Sequence, residues 1–261
     1  MIGTRLSVNL NKVALLRNAR TIGIPSVLRA AEICIDAGAH GLTVHPRPDE
    51  RHIRRQDVFE LAEALKHAPE IEFNIEGNPF PEFMELVLKV KPTQCTLVPD
   101  SPEAFTSDHG WDLKGADAGR LRPIINRLKE EGIRTSLFMD AVDPSQIGLA
   151  REVGADRVEL YTEPYAATYA RGERVEETLE AFRNAAEKAQ SVWLGVNAGH
   201  DLNLQNLGLF CSIPNIMEVS IGHALISDAL EMGLSNAVKA YLKILREAEK
   251  DESVTSRALA S

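Results

Sequence analysis

No apolar run in this chain approaches the roughly 20 residues that a bilayer crossing needs. The opening MIGTRLSVNL lacks the charged-then-apolar order of a secretory leader, so the expected location is the cytosol. Cations are in deficit, 29 Lys and Arg against 38 Asp and Glu, and the resulting charge of −9 argues against nucleic acid or an anionic membrane as partner. Any bound phosphate must therefore be held locally. Cysteine is scarce: Cys34, Cys95 and Cys211 are odd in number, far apart and outside any C-x-x-C. That pattern excludes a disulfide framework and a zinc knuckle, and each thiol reads as a small buried hydrophobe. No H-E-x-x-H, H-x-H or close carboxylate cluster on a strand is present, so no metal site is expected. No G-x-G-x-x-G follows a strand-like run, which removes the signature of a dinucleotide fold.

What is present is a repeated alternation of short apolar, β-branched runs with longer amphipathic stretches. The strand-like runs are Leu6 to Asn9, Gly41 to His45, Ile71 to Glu76, Gln94 to Val98, Thr135 to Asp140, Arg157 to Tyr161, Val192 to Asn197, and Glu218 to Ile221. Helix-length segments lie between them: Ser26 to Ala37, Asp57 to His67, Pro81 to Val90, Gly119 to Glu131, Pro144 to Val153, and Arg174 to Gln190. The joins DAGAHGLTVH, EEGIRTSLFM and EVGADRVELY share a glycine suited to closing a helix. Eight such units in 261 residues match one (β/α)8 barrel, for which about 250 residues is usual. The expectation is therefore a single α/β TIM-barrel domain over 1–250 with a frayed polar tail over 251–261, an open flavodoxin-like sheet being the alternative. Two connections, Pro99 to Ala118 and Thr162 to Glu173, exceed simple turns and read as lids.

Barrel enzymes place their chemistry at the C-terminal ends of strands. The first run ends at Asn9, the second at His45 and the third at Glu76; the sixth carries Glu159. The seventh ends at Asn197 with Gly199 and His200 beyond it, and the eighth runs into Gly222 and His223. Two histidines and two carboxyls at one mouth suit acid–base chemistry beside a carbonyl, because imidazole titrates near neutrality and burial can raise a carboxyl toward it. Singly, each is as readily a hydrogen-bonded strand-end group; several together point to a site.

Beyond His45, the segment GLTVHPRPDERH sets Arg47 as a two-pronged phosphate donor and His52, as a cation, for a further contact. Arg51, Arg54 and Arg55 read as solvated. The loops VNAGHD and SIGHAL occupy the places where such barrels often bind phosphate, and Gly199 and Gly222 would allow close backbone approach; plain turn glycines are the alternative. Asn9, Asn11 and Lys12 follow the first strand, Arg20 is placed to reach the mouth, and Arg17 reads as solvent-facing. A lysine Schiff base has little support, since only Lys12 lies just past a strand end.

The segments VNLNKVALLRNAR, GLTVHPRPDERHI, VNAGHD and IGHALI, in this order along essentially the whole chain, resemble signature segments of the pyridoxine 5′-phosphate synthases. The resemblance implies a (β/α)8 barrel with additional helices, a homo-octamer built from dimers, and no metal or organic cofactor. It implies condensation of two small phosphorylated substrates, 3-amino-2-oxopropyl phosphate and 1-deoxy-D-xylulose 5-phosphate, to pyridoxine 5′-phosphate, phosphate and water. On matching positions it makes His45 and Glu76 proton acceptors, His200 a proton donor and Glu159 a further acid–base group. Asn9, Arg20, Asp201, Gly222 and His223 would contact the aminoketone phosphate, and Arg47, His52 and Thr106 the sugar phosphate. Many members carry Asp-His where this chain has Asn11 and Lys12, a pair implied to bind the sugar phosphate, and Gly where it has Asp201. Glu72 competes with Glu76 as the third-strand base; Glu76 is preferred because it follows Asn-Ile at the strand end. The rival readings are another phosphosugar isomerase, epimerase or aldolase on a TIM barrel, and a non-catalytic phosphate-binding barrel.

Overall fold

The computed structural model describes residues 3–102, 104 and 106–259, with side chains through residue 250. Its strands are β1 (Arg5–Asn9), β2 (Gly41–Val44), β3 (Glu72–Gly77), β4 (Gln94–Leu97), β5 (Arg134–Met139), β6 (Arg157–Tyr161), β7 (Gly195–Gly199) and β8 (Ile216–Ile221). All pair in parallel in chain order, and Arg5 of β1 aligned with Glu218 of β8 closes the ring. Closure removes every sheet edge, and the helices cover the outside. These are α1 (Asn11–Asn18), α2 (Val27–Asp36), α3 (Arg55–Leu65), α4 (Pro81–Val90), α5 (Asp117–Glu130), α6 (Pro144–Glu152), α7 (Glu163–Arg171), α8 (Val175–Ser191), α9 (Leu207–Phe210), α10 (His223–Met232) and α11 (Leu234–Leu259). Of the expected tail over 251–261, only the backbone to residue 259 is described, as the continuation of α11; residues 260–261 lie outside the description.

Side chains alternate along a strand. One set, including Leu6 and Val8, Leu42 and Val44, Phe73 and Ile75, and Cys95 and Leu97, joins the apolar core. The other set is polar and bonds from strand to strand. Ser7 Oγ lies 2.7 Å from Thr43 Oγ1, Asn74 Nδ2 donates to Thr43 Oγ1 at 3.3 Å, and Thr96 Oγ1 donates to Asn74 Oδ1 at 3.0 Å. Barrels of this kind usually fill with Val, Ile and Leu. Here much of the filling is hydrogen-bonded, because an enclosed polar group without a partner is costly; Ser136 Oγ on β5 is an exception, with no partner among the described residues. At the N-terminal end Glu72 pairs with Arg5 at 2.7 Å and with Arg134, while Arg157 Nη1 donates to Asn197 Oδ1 at 3.1 Å.

The strand runs lie close to their expected places except the seventh, which occupies Gly195–Gly199 where Val192–Asn197 was expected. Helix α8 continues to Ser191, and Trp193 at φ +65° makes the turn, so the apolar Val192 and Leu194 belong to the approach. Asn197 consequently lies inside the strand, buried, instead of at its end. The segment Thr162 to Glu173, expected as a lid, is mostly α7: Pro164 suits its first turn, and Gly172 closes it at φ +68°. Tyr165 anchors it, its ring 5.3 Å from Phe210 and 6.3 Å from Phe182, which are themselves 5.5 Å apart.

That aromatic cluster ties α7, α8 and α9 to one another. Phe182→Ala is expected to destabilise the fold by about 3–5 kcal/mol, the range for truncating a buried aromatic, read from a denaturant titration.

Candidate active site

Helices close the outside of the barrel, so the polar rim at the strand C-termini is where side chains meet the entrance. His45 follows β2 and is buried; its Nδ1 stands 4.0 Å from Glu76 Oε2 on β3. Its backbone N–H donates to Asn11 Oδ1 at 2.9 Å, and Asn11 N–H donates to Asn9 Oδ1 at 3.0 Å. The residues after β1 thus hold the His45 backbone in place. Asn11 serves as an acceptor there, the capacity that an aspartate would offer.

The two third-strand glutamates occupy opposite ends of the barrel. Glu72 opens β3 and is neutralised by Arg5 and Arg134, whereas Glu76 lies at the rim with His45. Burial pushes Glu76 well above the usual carboxylate range, and the charges of Glu159, Asp100 and Glu218 push it further. Glu159, 2% exposed on β6, is raised to about 8 by burial and then by Glu218; Thr96 Oγ1 lies 3.5 Å from it. His45 is driven the other way, far below its ordinary value, first by burial and then by Arg47, His52 and His200. These influences link the four in a chain, His200 to His45, His45 to Glu76 and Glu76 to Glu159, with neutral forms favoured throughout.

His200 follows β7 at φ +87° and Asp201 at φ +58°, two successive left-handed residues that are not glycine. Such conformations cost of order 1 kcal/mol each and persist where the surroundings impose them. Here Thr162 Oγ1 lies 2.6 Å from the Gly199 carbonyl and also contacts that of His200. The imidazole packs against both Phe138 and Tyr161, at ring distances of 5.1 and 5.3 Å, and burial lowers its pKa. Gly199 makes room for a carboxyl: a Cβ there would come 2.4 Å from Glu159 Oε1. Gly222 packs against Asn9 and precedes α10, whose first residue, His223, is exposed.

A cleft of 570 Å³ opens beside the rim, lined by His45, Arg47, Asn78 and Asp100 among others; Glu159 and His200 are not part of its wall. Arg47 is buried, and His52 stands 6.3 Å from His45, ring to ring. Expected as a cation, His52 is instead held neutral, lowered to about 4 by burial and then by the charges of Arg47 and Lys12. Its Nδ1 accepts from Ile53 N–H at 2.9 Å, which leaves Nε2 as a neutral donor. The Lys12 effect sets that lysine near His52. Arg20, Asp201 and Thr106 are exposed around the rim segments.

Arg17 overturns the expectation of a solvent-facing side chain. It is 8% exposed, pairs with Asp57 through both nitrogens and donates to the His52 carbonyl at 3.1 Å. Asn18 Nδ2 donates to the same carbonyl at 2.8 Å, so α1 fixes the His52 loop. Arg51, read as solvated, instead donates to the carbonyls of Pro102 and Ala104. Two further residues escaped the reading of strand ends. Asp100, two residues past the Val98 that closes the fourth run, pairs with Arg47; Glu218, facing inward at the start of the eighth run, is a third buried glutamate beside Glu76 and Glu159.

A closed (β/α)8 barrel with titratable side chains gathered at the C-terminal rim has the architecture of a TIM-barrel enzyme. The model for the pyridoxal phosphate biosynthesis protein PdxJ matches residues 6–247, and the chain belongs to that family. It is 56% identical over 250 residues to the pyridoxine 5′-phosphate synthase of Albidiferax ferrireducens, covering 94% of this chain and 98% of that protein. Against the synthase of Bacteroides thetaiotaomicron the identity is 53% over 244 residues, covering 93% of this chain and all of the relative. Solved structures share the fold at low identity. One is 3-hexulose-6-phosphate synthase from Salmonella typhimurium, with a TM-score of 0.65 and 15% identity over 94% of this chain and 100% of that one.

The raised carboxyls set a pH signature. A folded-state value near 8 for Glu159, above the ordinary value of about 4.3, means that the native state keeps a proton the unfolded chain releases. Stability is then lost as pH rises from about 4.3 through about 8. The lowered histidines act oppositely, but only below their ordinary value of about 6.5. Between about pH 7 and pH 8 the thermal midpoint is therefore expected to fall, and Glu159→Gln to flatten that fall; an unchanged slope would assign Glu159 an ordinary titration.

Proposed function

We propose that this chain condenses 3-amino-2-oxopropyl phosphate with 1-deoxy-D-xylulose 5-phosphate, yielding pyridoxine 5′-phosphate, inorganic phosphate and water. The supporting observation is neutral His45 set 4.0 Å from the raised carboxyl of Glu76, beside Arg47, in a chain 51–56% identical to relatives named for that product. Condensing an amine with a ketone, losing water and closing a ring move several protons. Separate acids and bases serve such a sequence better than one nucleophile.

In this reading His45, kept neutral by burial, is the first proton acceptor. Glu76 holds a proton until the ammonium of the aminoketone lies beside it; that positive charge favours the carboxylate and turns a stored acid into a base. His200 returns a proton to a departing oxygen, and Glu159 serves as the further acid–base group. Arg47, His52, Asn11, Lys12 and Thr106 hold the sugar phosphate. Asn9, Arg20, Asp201, Gly222 and His223 hold the aminoketone phosphate, with free N–H groups at the start of α10 available to it.

We further propose that the chain self-associates, as an octamer, and works in the cytosol. Leu15, Leu16, Ile22 and Ile24 are 43%, 53%, 61% and 63% exposed along α1 and the turn after it, an apolar group suited to a subunit contact. Cys34 and Cys95 are buried free thiols, in keeping with a reducing compartment.

His45→Asn is expected to cut turnover by about 10²–10⁴-fold, the usual share of a general base. The assay follows deoxyxylulose phosphate, which must disappear only when the aminoketone phosphate is present; consumption without it would favour an isomerase or aldolase. Leu16→Glu is expected to lower the particle mass in light scattering, and an unchanged mass would remove this face from the contact.

A further inference from the structure

The Arg47–Asp100 pair differs from the ion pairs on the surface. Its two side chains are 4% and 3% exposed, and it stands in the wall of the cleft with His45 and Asn78. The contact is one-pronged: Arg47 Nη2 donates to Asp100 Oδ2 at 2.5 Å, while Nη1 donates to the Ala104 carbonyl at 3.0 Å. Ser107 Oγ donates to the same Oδ2 at 2.7 Å. Asp100 Oδ1 is shut off from solvent and has no hydrogen-bond partner among the described residues. A guanidinium commonly meets a carboxylate through two parallel bonds, and a buried acceptor without a donor is costly. Arg47 is thus neutralised without being saturated.

A phosphate arriving at Arg47 would bring more oxygens and more negative charge to the same donors. In an enclosed site of low effective dielectric, its charge and that of Asp100 on one guanidinium would repel strongly. We propose that Asp100 is a built-in competitor for the sugar-phosphate pocket: it occupies Arg47 while the pocket is empty, yields it when phosphate docks, and reclaims it when phosphate leaves. This rests on the reading of Arg47 as a phosphate ligand. Inorganic phosphate is a product of the proposed reaction, and a carboxylate that weakens its hold keeps the pocket from being blocked after each turnover. Holding the phosphate as tightly in the ground state as in the transition state would lower KM without raising kcat. After burial, the Asp100 charge also acts on Glu76 and His200, so the exchange is felt by the proton-transfer groups.

Calorimetric titration of the full chain with inorganic phosphate tests the exchange, the relevant binding being the part that Arg47→Ala removes. Asp100→Asn preserves the shape and removes the charge, and its phosphate Kd is expected to fall about tenfold, with a parallel fall in the phosphate inhibition constant. Asp100→Ser is expected to move the same way. If Arg47→Ala leaves phosphate binding unchanged, Arg47 is not a phosphate ligand and the exchange falls with that assignment. If Arg47 is required but neither Asp100 variant binds phosphate more tightly, the exchange alone is overturned. A crystal structure of the unaltered protein with phosphate on Arg47 gives a readout independent of variant folding. Asp100 is expected beyond hydrogen-bond reach of Arg47, and a retained Arg47–Asp100 bond refutes the exchange.

Discussion

Exclusion of water from a closed ring of strands that carries polar side chains inside is the constraint on which the rest of this structure depends. Once the ring is shut, an inward Ser, Thr, Asn or Gln is satisfied chiefly by a partner on a neighbouring strand, Ser136 being left without one among the described residues. The Ser7–Thr43–Asn74–Thr96 chain does this around half of the barrel. Those bonds fix the register as firmly as the apolar outer face does, since a one-residue slip would turn the polar set toward the helices.

The same exclusion sets the chemistry of the rim. Glu76, Glu159 and Glu218 share one dry interior and resist ionising, while His45 and His52 resist protonation. The permanent charges are therefore the arginines, and the fold gives each a fixed place. Arg17 binds α1 to the His52 loop, Arg51 ties the loop after β2 to the segment after β4, and Arg47 faces the cleft. An interior prepared with uncharged acids and bases beside fixed cations meets anionic substrates with one counter-charge at the cleft, Asp100 on Arg47, left to displace.

Much of this was legible in the residues. Strand-ending Asn9, His45 and Glu76 marked the rim because a parallel barrel exposes only that end of each strand to the mouth, and alternation gave the ring itself. Val192 misled because an apolar residue leaving a helix looks like one entering a strand; only the positive φ at Trp193 separates them. Helix α7 was hidden because EPYAATYAR carries its anchoring tyrosine without a long apolar stripe. Arg17 looked solvated because its partner, Asp57, is brought to it by α3, and Asp100 was passed over because its meaning lies in Arg47 on another loop. Pairings of this kind are tertiary facts, invisible to periodicity.

The missing side chain at position 199 has a consequence for how this rim can vary. The Glu159 carboxyl fills the volume a methyl group would take, so the tip of β7 and the acid on β6 form one steric unit. Any larger residue there must shift that carboxyl from its place beside Thr96. A change of shape on one strand would thus surface as a change of acidity on the next, and the two positions are free to drift only in step.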